Sequence, residues 1–180
     1  MNIVSTNFAD LVVLETKVFH DSRGYFFEGY KQTALEEVGL DIPIVQTNIS
    51  KSEAGVVRGL HFQNPPFAQG KLVRVLKGAV LDIVVDIRKN SKTYGEYFSI
   101  ELSDENHKAL WVPPGFAHGF KTLVDDTIFY YNCTQVYDKS SEGSILWNDP
   151  TLNIDWQIDN PTLSDKDQQG QLFKTFESEF

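Results

Sequence analysis

Two histidines stand in contexts suited to chemistry. His61 lies in Gly55-Val-Val-Arg-Gly-Leu-His-Phe-Gln63, and His118 closes Pro113-Pro-Gly-Phe-Ala-His118. Such spacings can bring imidazoles from neighbouring strands around a metal ion, but the donor set is thin. Gln63 offers an amide where another imidazole would be needed, and no Glu occurs between Asn64 and Gly70. Transition metals favour imidazole, thiolate or carboxylate donors, so no tight metal site is expected. An imidazole relieved of a metal is available for proton transfer, with a pKa near about 6.5. The plainer alternatives are a half-buried His61 satisfied by its neighbours and a Pro/Gly turn with an incidental His118.

Other reactive side chains lie close in sequence. Arg58 precedes His61, and Lys71 and Arg74 flank an apolar run. Tyr131 lies in Phe129-Tyr-Tyr-Asn-Cys133, and Asp167 is available to orient an imidazole. Strand alternation places Val57, Gly59, His61 and Gln63 on one face and turns Arg58 away. A bulge at Gly59 would re-aim one of these side chains. Only one of Tyr130 and Tyr131 can face inward, and parity along a continuous strand puts Tyr137 on the side of Tyr131. Most of the aromatic side chains from Phe129 to Tyr137 are expected simply to fill the core.

The elements that must position these residues are mostly strands. Val80 to Ile87 alternates Leu81, Ile83, Val85 and Ile87 with Asp82 and Asp86, a period-two pattern. Further strand signals cover Leu11 to Leu14, Gly24 to Tyr30, Ile44 to Ser50, Val56 to Phe62 and Lys71 to Leu76. Others cover Tyr97 to Leu102, Ala109 to Val112, Gly119 to Leu123 and Thr127 to Tyr137. Turns at Asn64-Pro-Pro66, Lys77-Gly78 and Asp125-Asp126 punctuate them. This pattern predicts an all-β sandwich or barrel. A helix is expected from Lys31 to Val38, with Ala34, Leu35 and Val38 on one face and Gly39 as its stop. Ser164-Asp-Lys-Asp167 has the N-cap and acidic first turn of a second, short helix. Gln168 to Phe180 is polar and weakly patterned and reads as a tail.

Composition narrows the function. A chain of 180 residues, 41% hydrophobic, is suited to a single domain spanning the whole sequence. A net charge of −9 and a pI near 4.8 disfavour a nucleic-acid groove, so an anionic ligand must be held by a few local cations. Cys133 is the sole cysteine, and no apolar run is long enough to span a membrane, which suggests a soluble protein of the reducing cytoplasm. No G-x-G-x-x-G follows a strand, no G-x-S-x-G is present, and Pro65 to Leu72 only mimics a P-loop. ATP hydrolysis and nicotinamide chemistry are therefore disfavoured.

The two histidine motifs resemble those of the cupins, whose fold is a jelly-roll β-barrel, in a degraded form. Over about Phe19 to Asp167 the chain more closely resembles the dTDP-4-dehydrorhamnose 3,5-epimerase family, metal-free cupins of dTDP-L-rhamnose synthesis, which supplies cell-surface polysaccharide. The resemblance is carried by Phe19 to Glu28, Gln46-Thr-Asn-Ile-Ser50, Val57 to Gln63, Lys71-Leu-Val-Arg74, Val85-Asp-Ile-Arg88, Pro113 to Phe120, Ser141-Glu-Gly143 and Leu163-Ser-Asp-Lys-Asp167. It implies a cupin-type jelly roll with a few short peripheral helices, no cofactor, and inversion of C3 and C5 of a dTDP-4-keto-6-deoxyhexose. It further implies His61 as base oriented by Asp167, Tyr131 as acid on the opposite face of the sugar, and Lys71 beside the C4 keto oxygen. Arg23, Glu28, Gln46, Thr47, Asn48, Arg58, His118, Glu142 and Lys166 would line the nucleotide-sugar site, with Tyr137 stacked on thymine. A homodimer is implied in which N-terminal segments cross over, so that Arg23 and Glu28 serve the partner's site.

Two positions depart from the family pattern. Phe62 stands where Tyr is frequent, and Asp165 adds negative charge beside Lys166 and Asp167. Rivals on the same scaffold are a 3- or 5-monoepimerase and a 3,4-ketoisomerase; rivals of other classes are a metal-dependent oxygenase and a non-catalytic sugar-nucleotide binding module.

Overall fold

The computed structural model describes residues 2–37 and 39–180. Its strands are β1 (Asn2–Ser5), β2 (Val12–Glu15), β3 (Phe19–Asp21), β4 (Gly24–Phe26), β5 (Gln46–Ser52), β6 (Val57–Gln63) and β7 (Lys71–Lys77). They continue with β8 (Ala79–Asp86), β9 (Tyr97–Ser103), β10 (Ala109–Val112), β11 (Phe116–Thr122), β12 (Thr127–Cys133) and β13 (Glu142–Ser144). A six-stranded sheet runs in the order β1-β2-β10-β7-β12-β5, and a five-stranded sheet in the order β13-β6-β11-β8-β9. From β5 to β8 the chain switches sheet at every strand, and it does so again from β9 to β13. These crossovers fold the two antiparallel sheets face to face as a jelly roll, the expected all-β class.

Three apolar layers follow from strand alternation. Val73, Val75, Leu110 and Phe129 of the larger sheet meet Val80, Val84, Phe116 and Phe120 of the smaller one, forming the central core. Leu81, Ile83, Val85 and Ile87 turn to the opposite face, where Trp156, Leu152 and Phe176 cover them. Thus both faces of β8 are buried, one wholly apolar and the other carrying Asp82 and Asp86 among its valines. On the outside of the larger sheet, Leu14, Leu72 and Trp111 are covered by Leu35 and Ile42.

Several expectations need correction. The helix α1 spans only Gln32–Glu36. Leu35 packs inward as expected, whereas Val38 lies outside the described residues. Gly39 does form the stop, at φ +84°, with Leu40 N–H bonding back to the Leu35 carbonyl at 2.8 Å. The run Gly24 to Tyr30 yields only the short strand β4, paired with β3 as a separate hairpin. The helix expected from Ser164 is a single 3-10 turn over Asp167–Gln169. Gln168 to Phe180 is not a loose tail. Ile145 bridges Gln171, Lys89 N–H bonds the Phe180 carbonyl at 3.0 Å, and Phe176 packs into the outer layer. Sparse aromatic anchors hold this segment, which is why it shows no periodicity.

Candidate active site

The site is built around an irregularity in β6. His61 pairs with His118 of β11, but Arg58 pairs with Phe120, so β6 carries one more residue than its partner over this stretch. That is the bulge expected at Gly59. Gly59 adopts φ +129°, and a Cβ there would lie 2.5 Å from Gly119 Cα, so only glycine fits. The bulge overrides simple alternation. Val57 turns into the outer apolar layer with Leu60 and Phe62, whereas Arg58 and His61 line the same cavity. The expected grouping of Val57 with His61 is therefore wrong, and the expected separation of Arg58 from His61 is undone.

This cavity, about 280 Å³, lies between the sheets. His61 reaches it from the five-stranded sheet, while Lys71 and Tyr131 reach it from β7 and β12 of the six-stranded sheet. Imidazole and phenol therefore approach from opposite walls. His61 Nε2 lies 2.8 Å from Asp167 Oδ1, although this approach falls outside hydrogen-bond angles. Such contacts are commonly looser before substrate binds. Asp167 is itself clamped, with Oδ1 accepting the Gly59 N–H at 3.1 Å and Oδ2 accepting the Ser164 hydroxyl at 2.6 Å. Burial alone would raise its pKa; the contacts with His61, Ser164 and Gly59 outweigh burial and bring it to about 2.

Lys71 donates from Nζ to the His61 carbonyl at 3.4 Å. Burial lowers its pKa, opposed by the negative potential of Cys133, Asp82 and Glu142. The Tyr131 phenol is pushed upward, chiefly by burial, and keeps its proton at neutral pH. His118 Nε2 contacts Asp82 Oδ2 at 2.9 Å beneath the cavity. Burial raises the Asp82 pKa, against the pull of His118 and Lys71.

A wider cleft of about 610 Å³ opens from this cavity and shares His61, Lys71, Tyr131 and Lys166 with it. Gln46, Asn48, Tyr137 and Glu142 line it. Gln46 Nε2 donates to Asn48 Oδ1 at 3.0 Å, and Gln46 Oε1 accepts the Tyr137 N–H at 2.8 Å. Thr47 lies at the cleft edge with its hydroxyl tied to Asn132 Oδ1 at 2.8 Å. Glu142 accepts the Tyr137 hydroxyl at 3.0 Å and pairs with Lys166. Because β12 ends at Cys133, strand parity does not place Tyr137; the loop after β12 brings it to the cleft, 53% exposed.

Arg23 and Glu28 are not brought to the site within this chain. Arg23 binds Asp21 on the β3–β4 hairpin, with its side chain 88% exposed, and Glu28 pairs with Lys31. Gln63 is fully engaged elsewhere. Its Nε2 donates to the carbonyls of Phe67 at 2.6 Å and Val136 at 3.1 Å, and its Oε1 accepts the Asp138 N–H at 2.8 Å. Among the described residues, no group of three His, Cys, Asp or Glu side chains converges as a metal site would require.

Asp82, Ser164 and Ser50 also bear on the site and were not singled out from sequence as site residues. Ser164 was legible as an N-cap three residues before Asp167, and its hydroxyl does accept the Asp167 N–H at 3.2 Å. Asp82 stood out only as a carboxylate interrupting an apolar strand, while Ser50 gave no signal beyond its place at the end of Gln46-Thr-Asn-Ile-Ser50.

Known proteins resemble this chain over nearly its whole length. A family model described as dTDP-4-dehydrorhamnose 3,5-epimerase matches residues 5–175. A Shigella flexneri protein of that name is 50% identical, with 96% of each chain covered. The crystal structure of the enzyme of that name from Elizabethkingia anophelis superposes with a TM-score of 0.92 at 48% identity, covering 97% of each chain. A Legionella pneumophila epimerase solved in complex with dTDP-4-keto-L-rhamnose superposes with a TM-score of 0.93 at 43% identity, covering 98% of this chain and 94% of that one. The jelly roll and the near full-length match to these relatives show that this chain belongs to the dTDP-4-dehydrorhamnose 3,5-epimerase family.

Proposed function

We propose that this chain is an isomerase that inverts C3 and C5 of dTDP-4-dehydro-6-deoxy-D-glucose to give dTDP-4-dehydro-L-rhamnose. The observation that carries this reading is the placement of His61 and Tyr131 on opposite sheets of one cavity, with Lys71 in the same cavity and donating across to the His61 carbonyl. Inversion beside a ketone needs a base on one face of the ring, an acid on the other and a cation at the enolate oxygen.

His61 takes the proton from C3, and the electron pair of the broken C–H bond moves onto the C4 oxygen, where the Lys71 ammonium stabilises it. Tyr131 returns a proton to C3 from the opposite face. The same sequence at C5 follows once His61 has released, and Tyr131 regained, a proton through solvent. Asp167 keeps one imidazole nitrogen as donor and leaves the other as acceptor. Arg58 and Lys166 meet the diphosphate, Gln46, Thr47, Asn48, His118 and Glu142 position the sugar nucleotide, and Tyr137 stacks on the thymine. No cofactor enters these steps.

A homodimer completes the site in this reading. The β3–β4 hairpin leaves Phe19, Tyr25 and Phe26 exposed at 51%, 54% and 66%, and it carries Arg23 away from its own cavity. Both features suit a segment that reaches a second copy. A cytoplasmic setting suits the single, buried Cys133. No helix among the described residues is long and apolar enough to cross a membrane.

Incubation with dTDP-4-keto-6-deoxy-D-glucose in deuterated water, followed by NMR, tests the proposal. Deuterium at both C3 and C5 with L-rhamno product is expected. Inversion at one centre alone would assign a monoepimerase, and a product with the ketone moved to C3 would assign a ketoisomerase.

A further inference from the structure

The side chains of β5 that face the site form a ladder of alternate residues, Gln46, Asn48, Ser50 and Ser52. Three of the four rungs are occupied. Gln46 bonds Asn48 and the Tyr137 N–H, Asn48 Nδ2 lies 3.7 Å from Cys133 Sγ, and Ser52 Oγ accepts Arg58 Nε at 3.1 Å. Ser50 differs: its hydroxyl is buried and has no hydrogen-bond partner among the described residues. It also lines the cavity that holds His61, Lys71 and Tyr131.

Across the strands its neighbour is aromatic. Ser50 pairs across the strands with Phe129, whose ring stacks on Phe120 at a centroid distance of 4.2 Å, and both rings line the cavity. An unpaired buried hydroxyl is costly, and nothing in the packing of this wall requires one. A lone hydroxyl set in an aromatic wall matches a pyranose ring, which offers C–H surface and single hydroxyls.

We propose that Ser50 is a specificity-determining residue whose hydroxyl binds the C2 hydroxyl of the sugar, an inference that rests on the epimerase reading above. The substrate has free ring hydroxyls only at C2 and C3. The C3 hydroxyl changes orientation during the reaction, so a rigid strand residue cannot hold it in both substrate and product. The C2 centre keeps its configuration while C3 and C5 react. Holding it anchors the ring as C3 and C5 invert, using a part of the substrate that does not react.

The test compares wild type and Ser50→Ala on the parent substrate and on its 2-deoxy analogue, with C5 deuterium exchange and kcat/KM as readouts. Wild type is expected to prefer the parent by about three- to tenfold, the range of one neutral hydrogen bond. Ser50→Ala should lose that preference, mainly through KM, with an unchanged or raised Tm because a buried unpaired hydroxyl has been removed. The inference is overturned if Ser50→Ala keeps the wild-type preference, or if wild type does not discriminate. It is equally overturned if the variant melts earlier and loses activity evenly on both substrates, since that marks a structural role. Failure of wild type to exchange either C3 or C5 of the parent would instead refute the epimerase reading and this inference with it.

Discussion

Gly59 and Asp167 are joined across 108 residues by a single hydrogen bond, from the bulge N–H to Oδ1 at 3.1 Å. The irregularity that turns Arg58 and His61 into one cavity thus also holds the carboxylate that touches His61. Bulge and His61–Asp167 contact form one structural unit.

Gly59→Ala breaks that unit. A Cβ at φ +129° would meet Gly119 Cα at 2.5 Å and the His118 carbonyl oxygen at 2.8 Å, both backbone atoms that cannot swing aside. A loss of roughly 3 kcal/mol or more is expected from strain and overpacking combined. Urea unfolding measures it, and a variant within about 0.5 kcal/mol of wild type would show that β6 can be built without the bulge.

Asp167→Asn should fold, retain substrate affinity and lose about 100-fold or more in kcat, because the amide no longer fixes and charges the imidazole contact. Its acid behaviour supplies a second readout. The folded pKa of Asp167 is depressed from 3.8 to about 2, so its contribution to stability is present above the unfolded value and lost as pH falls through the folded one. Melting curves from pH 5 to pH 2 should therefore show a steeper loss for wild type than for the variant.

His61→Ala should abolish solvent deuterium incorporation at both C3 and C5. Retained exchange would remove His61 as base. Tyr131→Phe should leave proton removal largely intact while cutting formation of inverted product by about 100- to 10,000-fold. Normal product yield from that variant would hand the acid role to another group.

Lys71→Ala should cost about 100- to 1000-fold in kcat, the scale of losing one preorganised donor at a developing oxyanion. Burial depresses the Lys71 pKa below 10.5, so wild-type activity should fall on the alkaline side before the ordinary lysine range is reached. The same shift makes charged Lys71 a cost to the fold, and stability is regained as pH rises from the folded pKa toward 10.5. Lys71→Met should flatten both profiles.

Phe176→Ala tests the C-terminal segment. The ring is 9% exposed and meets Phe62 edge-on at 5.4 Å, so truncation should cost about 3–5 kcal/mol. A cost below about 1 kcal/mol would mean that the segment is dispensable to the barrel.

Strands buried on at least one face were legible because their side chains report burial every second residue. The span Ala109–Val112 was read to the residue, and β8 ends within one residue of its expected limits. Gly59 announced its bulge because few strand positions tolerate a missing side chain without reason. Tyr137 does share the cleft with Tyr131 as expected, but not through strand parity, because pairing to β5 and β7 stops at Cys133 and a loop carries it there. The Asp82–His118 contact was invisible to local pattern, since it depends on the register of β8 against β11. Docking of Phe176 was missed for the opposite reason: a few aromatic side chains do the anchoring, and the polar residues between them obscure it.

Gln63 carries a consequence for any attempt to build a metal site here. Its amide donates to two carbonyls and accepts one N–H, stitching the loops around Phe67, Val136 and Asp138 to β6. A neutral imidazole has one donor and one acceptor and cannot reproduce those three bonds. Placing a histidine here in search of a metal would first unfasten the loops that flank the cleft. The loops beside the cleft therefore depend on an amide at this position.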